Sequence, residues 1–292
     1  MVKKSIEDIN DIESVAKALF DNKICHFGKD ATVLGIAPVT DKENYNIVPL
    51  IISSSCKSET GHELADWVRI GLKTYHESPS GAKLHGDIRT LATDGESSFC
   101  KLRFELCLTE DLDHNSKLGH LLYQLPGLNC WTGTNRLIGT CDPKHVVKRF
   151  ATMMRSPAGV QLATQHLTSN DSMITLQQIM EPKEAASLLN PADKQNVPKA
   201  VNLIESLLVA GGKKVTIIPN QSIKERIESI GFIAKVLNFF LNPFINVEMT
   251  LSQQLCELST YTHLVTGLYQ KHQLGFLTSA LLANSQQLSR IF

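Results

Sequence analysis

The sequence predicts an α/β domain followed by a mainly helical module, and three features carry that prediction. Two β-rich runs, Ala31 to Val39 (ATVLGIAPV) and Ile47 to Ser53 (IVPLIIS), flank a polar stretch and read as a hairpin with a longer loop. Behind them, short apolar runs alternate with helical patterns, an order that needs a sheet with helices on its faces. After about Phe150 the apolar residues recur almost entirely at helical spacing. The expected organisation is an amino-terminal helix and lead-in over 1–30, an α/β domain over 31–156 and a helical module over 157–292.

Each element has its own local cause. Ile6, Ile9, Ile12, Val15, Ala16, Leu19 and Phe20 fall at helical spacing, so the first twenty residues read as an amphipathic helix ending near Asp21-Asn22. Pro38 and Pro49 put the two β runs at a sheet edge or beside a bulge, because proline cannot donate to a ladder. Thr60-Gly61-His62-Glu63 fits a capping box, and Leu64, Trp67, Val68, Leu72 and Tyr75 behind it form one helical face that Ser78 to Gly81 ends. Ile88 to Ala92 reads as a strand. It turns through Thr93-Asp94-Gly95 into a helix with Phe99, Leu102 and Leu106 on one side.

Further along, Leu118 to Leu125 reads as a short helix stopped by Pro126-Gly127, and Leu137 to Thr140 as a strand ending at Cys141-Asp142. Asp142-Pro143 then opens a helix, with Asp142 as cap and proline at the first position. Met153 to Thr168 is ambiguous. Leu176 to Leu189, Val197 to Ala210, Ile223 to Phe240 and Leu251 to His272 are helical, punctuated by Asn190-Pro191, Gly211-Gly212 and Asn242-Pro243, with one strand-like run at Val215 to Ile218.

Lys plus Arg balance Asp plus Glu at 29 each, so no global field draws the chain to nucleic acid or to an anionic membrane, and DNA binding would need a local patch. Seven scattered cysteines, with no CxxC pair, argue against a zinc ribbon or a secreted disulfide framework and suggest reduced thiols. The amino terminus lacks the apolar core of a signal peptide and no run reaches the ~20 apolar residues of a membrane span, so the expectation is a soluble protein of the nucleus or cytoplasm.

Asp94 is the first candidate for chemistry, since α/β proteins bind their ligands in the crevice outside the carboxyl ends of the strands. The alternative is structural: an Asp just before a helix commonly accepts an orphan backbone N–H.

Five stretches in series, ATVLGIAPVTDKENYNIVPLIISSSCKSETG, LATDGESSF, DPKHVVKRF, NPADKQNVPKAVNLIESL and SQQLCELSTYTHLVTGLY, resemble transposase-like proteins related to P-element and THAP-domain DNA transposases, over about Ala31 to Phe276. The resemblance implies an incomplete ribonuclease-H-like mixed sheet with flanking helices, then an insertion-like helical module. It also implies an ancestral two-metal chemistry, in which three acids hold two divalent ions, usually Mg²⁺, roughly 3.5–4 Å apart to stabilise the attacking and leaving oxygens. Asp94 matches the second acid, an ancestral catalytic and metal-ligand position. The first acid belongs on a strand expected to precede this chain's helical start, and the third, a glutamate on a late helix, beyond its end. Asp30 lies outside the motif and reads as a loop residue, and Glu257 matches a different family position and reads as part of a solvated helix face.

The implied fragment therefore brings one of three ligands and is expected to be catalytically incomplete. It also lacks the strand that lies centrally in such a sheet, which leaves unpaired backbone groups unless a segment of another copy fills the gap, making self-association a possible consequence. Lys144, His145, Lys148 and Arg149, with Arg155, match the family's strand-to-helix junction and could neutralise DNA phosphates, or form only an exposed basic face. Asp193 and Lys194 are conceivable GTP contacts by the same resemblance, the alternative being a helix start at Asn190-Pro191 with Asp193 near the positive end of its dipole. There is no GxxxxGK[ST], HExxH or GxSxG, and Trp67 and Trp131 read as core or loop anchors. Three readings stay open: an inactive transposase-derived fragment, a nuclease or transposase completed by a longer chain or partner copy, and a host-recruited module that binds DNA or protein.

Overall fold

The structure, a computed structural model, describes residues 9–21, 28, 30–38, 46–124, 130–193, 195–213 and 220–288. These form a mixed α/β chain in two compact units, Met1–Thr74 and Tyr75–Phe292. The expected strand over Val215 to Ile218, most of the hairpin loop and the Pro126-Gly127 stop lie outside the described residues.

In the first unit a helix, α1 (Ile9–Ala16), runs into a π-turn over Lys17–Asp21. The expected hairpin follows as β1 (Asp30–Ile36) and β2 (Val48–Ser55), paired antiparallel. Their register slips between Leu34 and Gly35: Leu34 faces Ile51 and Gly35 faces Pro49, so Leu50 is the extra residue of a bulge. Pro49 thus sits where a ladder can spare a donor. Helix α2 (Gly61–Glu77) starts at the predicted capping box, in which Glu63 N–H donates to Thr60 Oγ1 at 3.2 Å and Thr60 N–H to Glu63 Oε2 at 2.8 Å. Its buried stripe of Gly61, Leu64, Ala65 and Val68 continues to Gly71, whose bare Cα is approached by Leu34 and Ile51 of the hairpin.

In the second unit a short turn of helix, α3 (Ala82–His85), precedes β3 (Thr90–Thr93) and α4 (Ser97–Cys107). A two-residue strand β4 (Glu110–Asp111), helix α5 (Lys117–Leu122) and β5 (Trp131–Thr132) lead to β6 (Ile138–Cys141) and α6 (Pro143–Arg155). β3 and β6 are parallel neighbours, as a strand, helix crossover and strand require. The ambiguous stretch after α6 resolves into a small hairpin of β7 (Val160–Leu162) and β8 (Gln165–Leu167).

One mixed sheet was the expectation. Among the described residues the strands instead form four separate pairs. β3 and β6 are four residues each and β4 and β5 only two, too short to add further rungs.

The rest is helical: α7 (Ser169–Leu176), α8 (Pro182–Leu188), α9 (Val197–Gly212), α10 (Gln221–Ile245), α11 (Leu251–His272) and α12 (Ser279–Leu288). Of the helix expected over Leu176 to Leu189 only α8 forms, because Leu176 ends α7 and Pro182, lacking an N–H, opens a new helix at its first position. The core gathers here. Phe240 of α10 meets Phe150 of α6 edge-on at 5.3 Å and Tyr261 of α11 at 5.2 Å, and all three rings are fully buried. α9 and α10 cross at Gly211 and Gly231, where a Cβ on Gly211 would fall 2.2 Å from the Gly231 Cα.

Candidate functional site

The carboxyl ends of β3 and β6 lie side by side, with Thr93 opposite Cys141 and Asp142 N–H donating to Thr93 O at 3.0 Å. The next residue on each strand is an aspartate, so Asp94 and Asp142 form a pair at adjoining strand ends. Both carboxylates are engaged in the same way: Glu96 N–H donates to Asp94 Oδ1 and Lys144 N–H to Asp142 Oδ1, each at 2.9 Å. Each closes the turn between a strand and the helix that follows it. The sequence reading found Asp142 as a cap but not as a neighbour of Asp94, because only strand pairing brings them together.

Around this pair the polar groups are mostly cationic. Arg149 of α6 donates to the Gly95 carbonyl, next to Asp94. Arg103 of α4 is fully buried and donates to Thr140 O at 2.8 Å and to Asn284 Oδ1 of α12 at 2.6 Å. Asn284 packs against Gly95, its Nδ2 lying 3.2 Å from where a Cβ would be, so a side chain here would press on the Asn284 amide. Cys141 is buried among these groups, and burial pushes its thiol up from the ordinary cysteine value, the opposite of an activated nucleophile.

A pair of divalent ions would need several unencumbered carboxylates. Among the described residues no group of three His, Cys, Asp or Glu side chains comes close enough to hold a metal. Each of the two aspartates present has one oxygen in a turn-closing backbone bond, and the neighbouring side chains are guanidinium and amide. The residues present do not fit a two-metal centre.

The proposed basic cluster does not form one face. Lys144 is exposed and His145 half-buried. Lys148 Nζ donates to Gln195 Oε1 at 2.8 Å, and Arg149 is held against Gly95. Arg155 is buried and donates to Leu188 O at 2.9 Å and Asp193 O at 3.0 Å, so burial lowers its pKa and it belongs to the core rather than to any phosphate-facing surface. The helix interior is needed for packing on α9, which turns the later basic residues toward protein acceptors.

Asp193 makes an ion pair with Lys199 Nζ at 3.0 Å, and Lys194 lies outside the described residues. The helix after them starts at Val197, capped by Asn196, whose Oδ1 accepts from Lys199 N–H at 3.0 Å; it does not start at Asn190-Pro191. Asn190 closes a turn instead, accepting from Ala192 N–H at 3.0 Å, since a proline following it disfavours helical backbone at its own position. Asp30 is the first residue of β1, paired with Lys57, rather than a loop residue. Glu257 accepts both N–H bonds of the Asn242 amide, at 2.9 and 3.0 Å. The six described cysteines, Cys56, Cys100, Cys107, Cys130, Cys141 and Cys256, carry no disulfide. No described helix is long and apolar enough to cross a membrane.

No protein-family model, no curated protein and no solved structure matches the chain.

Proposed function

We propose that this chain is a transposase-derived fragment whose ancestral chemistry was two-metal DNA cleavage and strand transfer, and which has lost an assembled catalytic centre. The observation that carries the reading is Asp94 at the carboxyl end of β3, beside the parallel strand β6 and directly before the crossover helix α4. The order of hairpin, helix, strand, helix, strand and helix supports the ribonuclease-H-like reading.

The experiment is a nicking assay on supercoiled DNA with Mg²⁺ and with Mn²⁺, run on the chain and on Asp94→Asn. The expected result is no metal-dependent nicking from either protein. Nicking by the wild-type chain that vanishes in Asp94→Asn would instead establish the second reading, an enzyme whose remaining ligands come from a partner copy or a longer chain.

A third reading, a DNA-binding module recruited by the host, draws on the exposed Lys144 at the opening of α6 beside the half-buried His145. It expects DNA binding that falls steeply with salt and is indifferent to Asp94.

A further inference from the structure

Along β1 the hairpin has one half-covered face and one bare one, and on the half-covered face Val48 and Ile51 of β2 are still exposed. Cross-strand partners share a face, so Thr32 with Ser53 and Leu34 with Ile51 lie on the side approached by α2 at Gly71. Ala31 with Ser54, Val33 with Ile52 and Gly35 with Pro49 lie on the other, joined by the bulged Leu50. Burial follows this division along β1: Thr32, Leu34 and Ile36 are half-buried, and Ala31, Val33 and Gly35 are exposed. On the bare face Val33 is 55 % exposed, Leu50 47 % and Ile52 69 %.

A sheet face meant for water alternates apolar inward with polar outward. Here the outward positions are Ala, Val, Gly, Pro, Leu, Ile and one Ser, with no charged residue among them. The charges stand at the rim, where Asp30 and Lys57 neutralise each other. Neither strand's outer edge is paired among the described residues, and β2 carries no charged side chain to guard it.

We propose that this face is the interface between two copies of the chain, packed sheet on sheet about a two-fold axis. A two-fold axis sets the patch against itself, and a patch that is apolar and uncharged is complementary to its own image with no charge to desolvate or repel. The exposed parts of Ala31, Val33, Pro49, Leu50 and Ile52 with the adjoining Ile47 come to roughly 500 Å² on each copy, so a pair buries about 1,000 Å², the size at which specific interfaces begin. That size sets a reversible dimer rather than an obligate one. The inference rests on the hairpin alone and holds whether or not the chain descends from a transposase.

The test is sedimentation velocity of the whole chain across the micromolar range, with Ile52→Lys, Val33→Thr and Ile70→Lys beside the wild type. Ile70 is an equally exposed apolar residue on α2, outside the patch, and controls for general stickiness. The expected result is a monomer–dimer equilibrium weakened by more than about tenfold in Ile52→Lys, measurably in Val33→Thr and not at all in Ile70→Lys. Val33→Thr keeps a β-branched residue in the strand, so its effect is read on a folded hairpin. A monomer at every concentration overturns the proposal. So does a dimer that Ile52→Lys leaves intact, or one that Ile70→Lys weakens equally. A monomer whose unfolding temperature drops in Ile52→Lys would assign the cover of this face to the chain itself, and would also overturn it.

Discussion

Asp94 and Asp142 occupy equivalent places: each follows the last residue of one of two paired parallel strands, and each accepts the backbone N–H two residues on at 2.9 Å. A carboxylate used this way orders the strand-to-helix turn, a role an amide oxygen can also fill. Asp94→Asn and Asp142→Asn are therefore expected to leave stability within about 0.5 kcal/mol of wild type, whereas Asp142→Ala costs about 1 kcal/mol through the lost cap. Urea unfolding of the four single variants at both positions, Asn and Ala, checks this. Asn substitutions as damaging as Ala would show that the negative charge itself matters at this end of the sheet.

The basic residues of α6 divide by what they touch. Arg149 donates to Gly95 O from a half-buried position, so Arg149→Ala is expected to cost about 1 kcal/mol of stability. Lys144 is exposed and its removal should not change unfolding. If the chain binds DNA through this helix, Lys144→Ala lowers the slope of log K against log salt by about 1, measured by fluorescence anisotropy on a short duplex. An unchanged slope would take Lys144 out of any DNA contact.

Asp171 links α7 to α10. Burial pushes its carboxyl up, but the Thr168 N–H and hydroxyl and the Arg226 guanidinium at 2.6 Å outweigh it and hold the pKa below the usual aspartate value. The group binds its proton less readily folded than unfolded. Its contribution is complete above the ordinary aspartate range and is lost as pH falls toward the lowered native value. Arg226→Gln is expected to destabilise the chain at neutral pH by about 2 kcal/mol, the partly exposed arginine holding the cost below that of a fully buried pair. It should also shrink the acid-side loss of stability, which unfolding curves from neutral to acid pH will show. A pH profile identical to wild type would contradict the pairing.

The crossing of α9 and α10 leaves no room at Gly231, where an added Cβ would lie 2.7 Å from the Gly211 Cα and 2.9 Å from its carbonyl carbon. Alanine gains up to about 1 kcal/mol in helix propensity over glycine. Backbone atoms on both sides cannot step aside as a side-chain tip can, so the helices must part, at a cost of about 1–3 kcal/mol for the overpacking. The net expectation for Gly231→Ala is a lower unfolding temperature by calorimetry, with Gly212→Ala, which lies in α9 with open space around it, as the comparison that keeps or raises it.

Much of this chain is legible without coordinates because its signals act over a few residues. The Thr60–Glu63 box, the Asp142-Pro143 helix start, the bulge around Pro49 and the span Leu251–His272 depend on capping, proline chemistry and periodicity, all of which are short-range. Tertiary structure alone decided the neighbourhood of Asp94. Strand pairing set Asp142 beside it, and α12 delivered Asn284 to Arg103 from 181 residues away along the chain. It also turned Lys148, Arg149 and Arg155 toward protein acceptors, where the sequence had offered them as a cluster for DNA phosphates or as an exposed basic face. The reason is physical: a residue's type and spacing fix which backbone bonds and which stripe it can join, whereas the partners of a buried charge are chosen by whichever distant segment packing brings within hydrogen-bond reach.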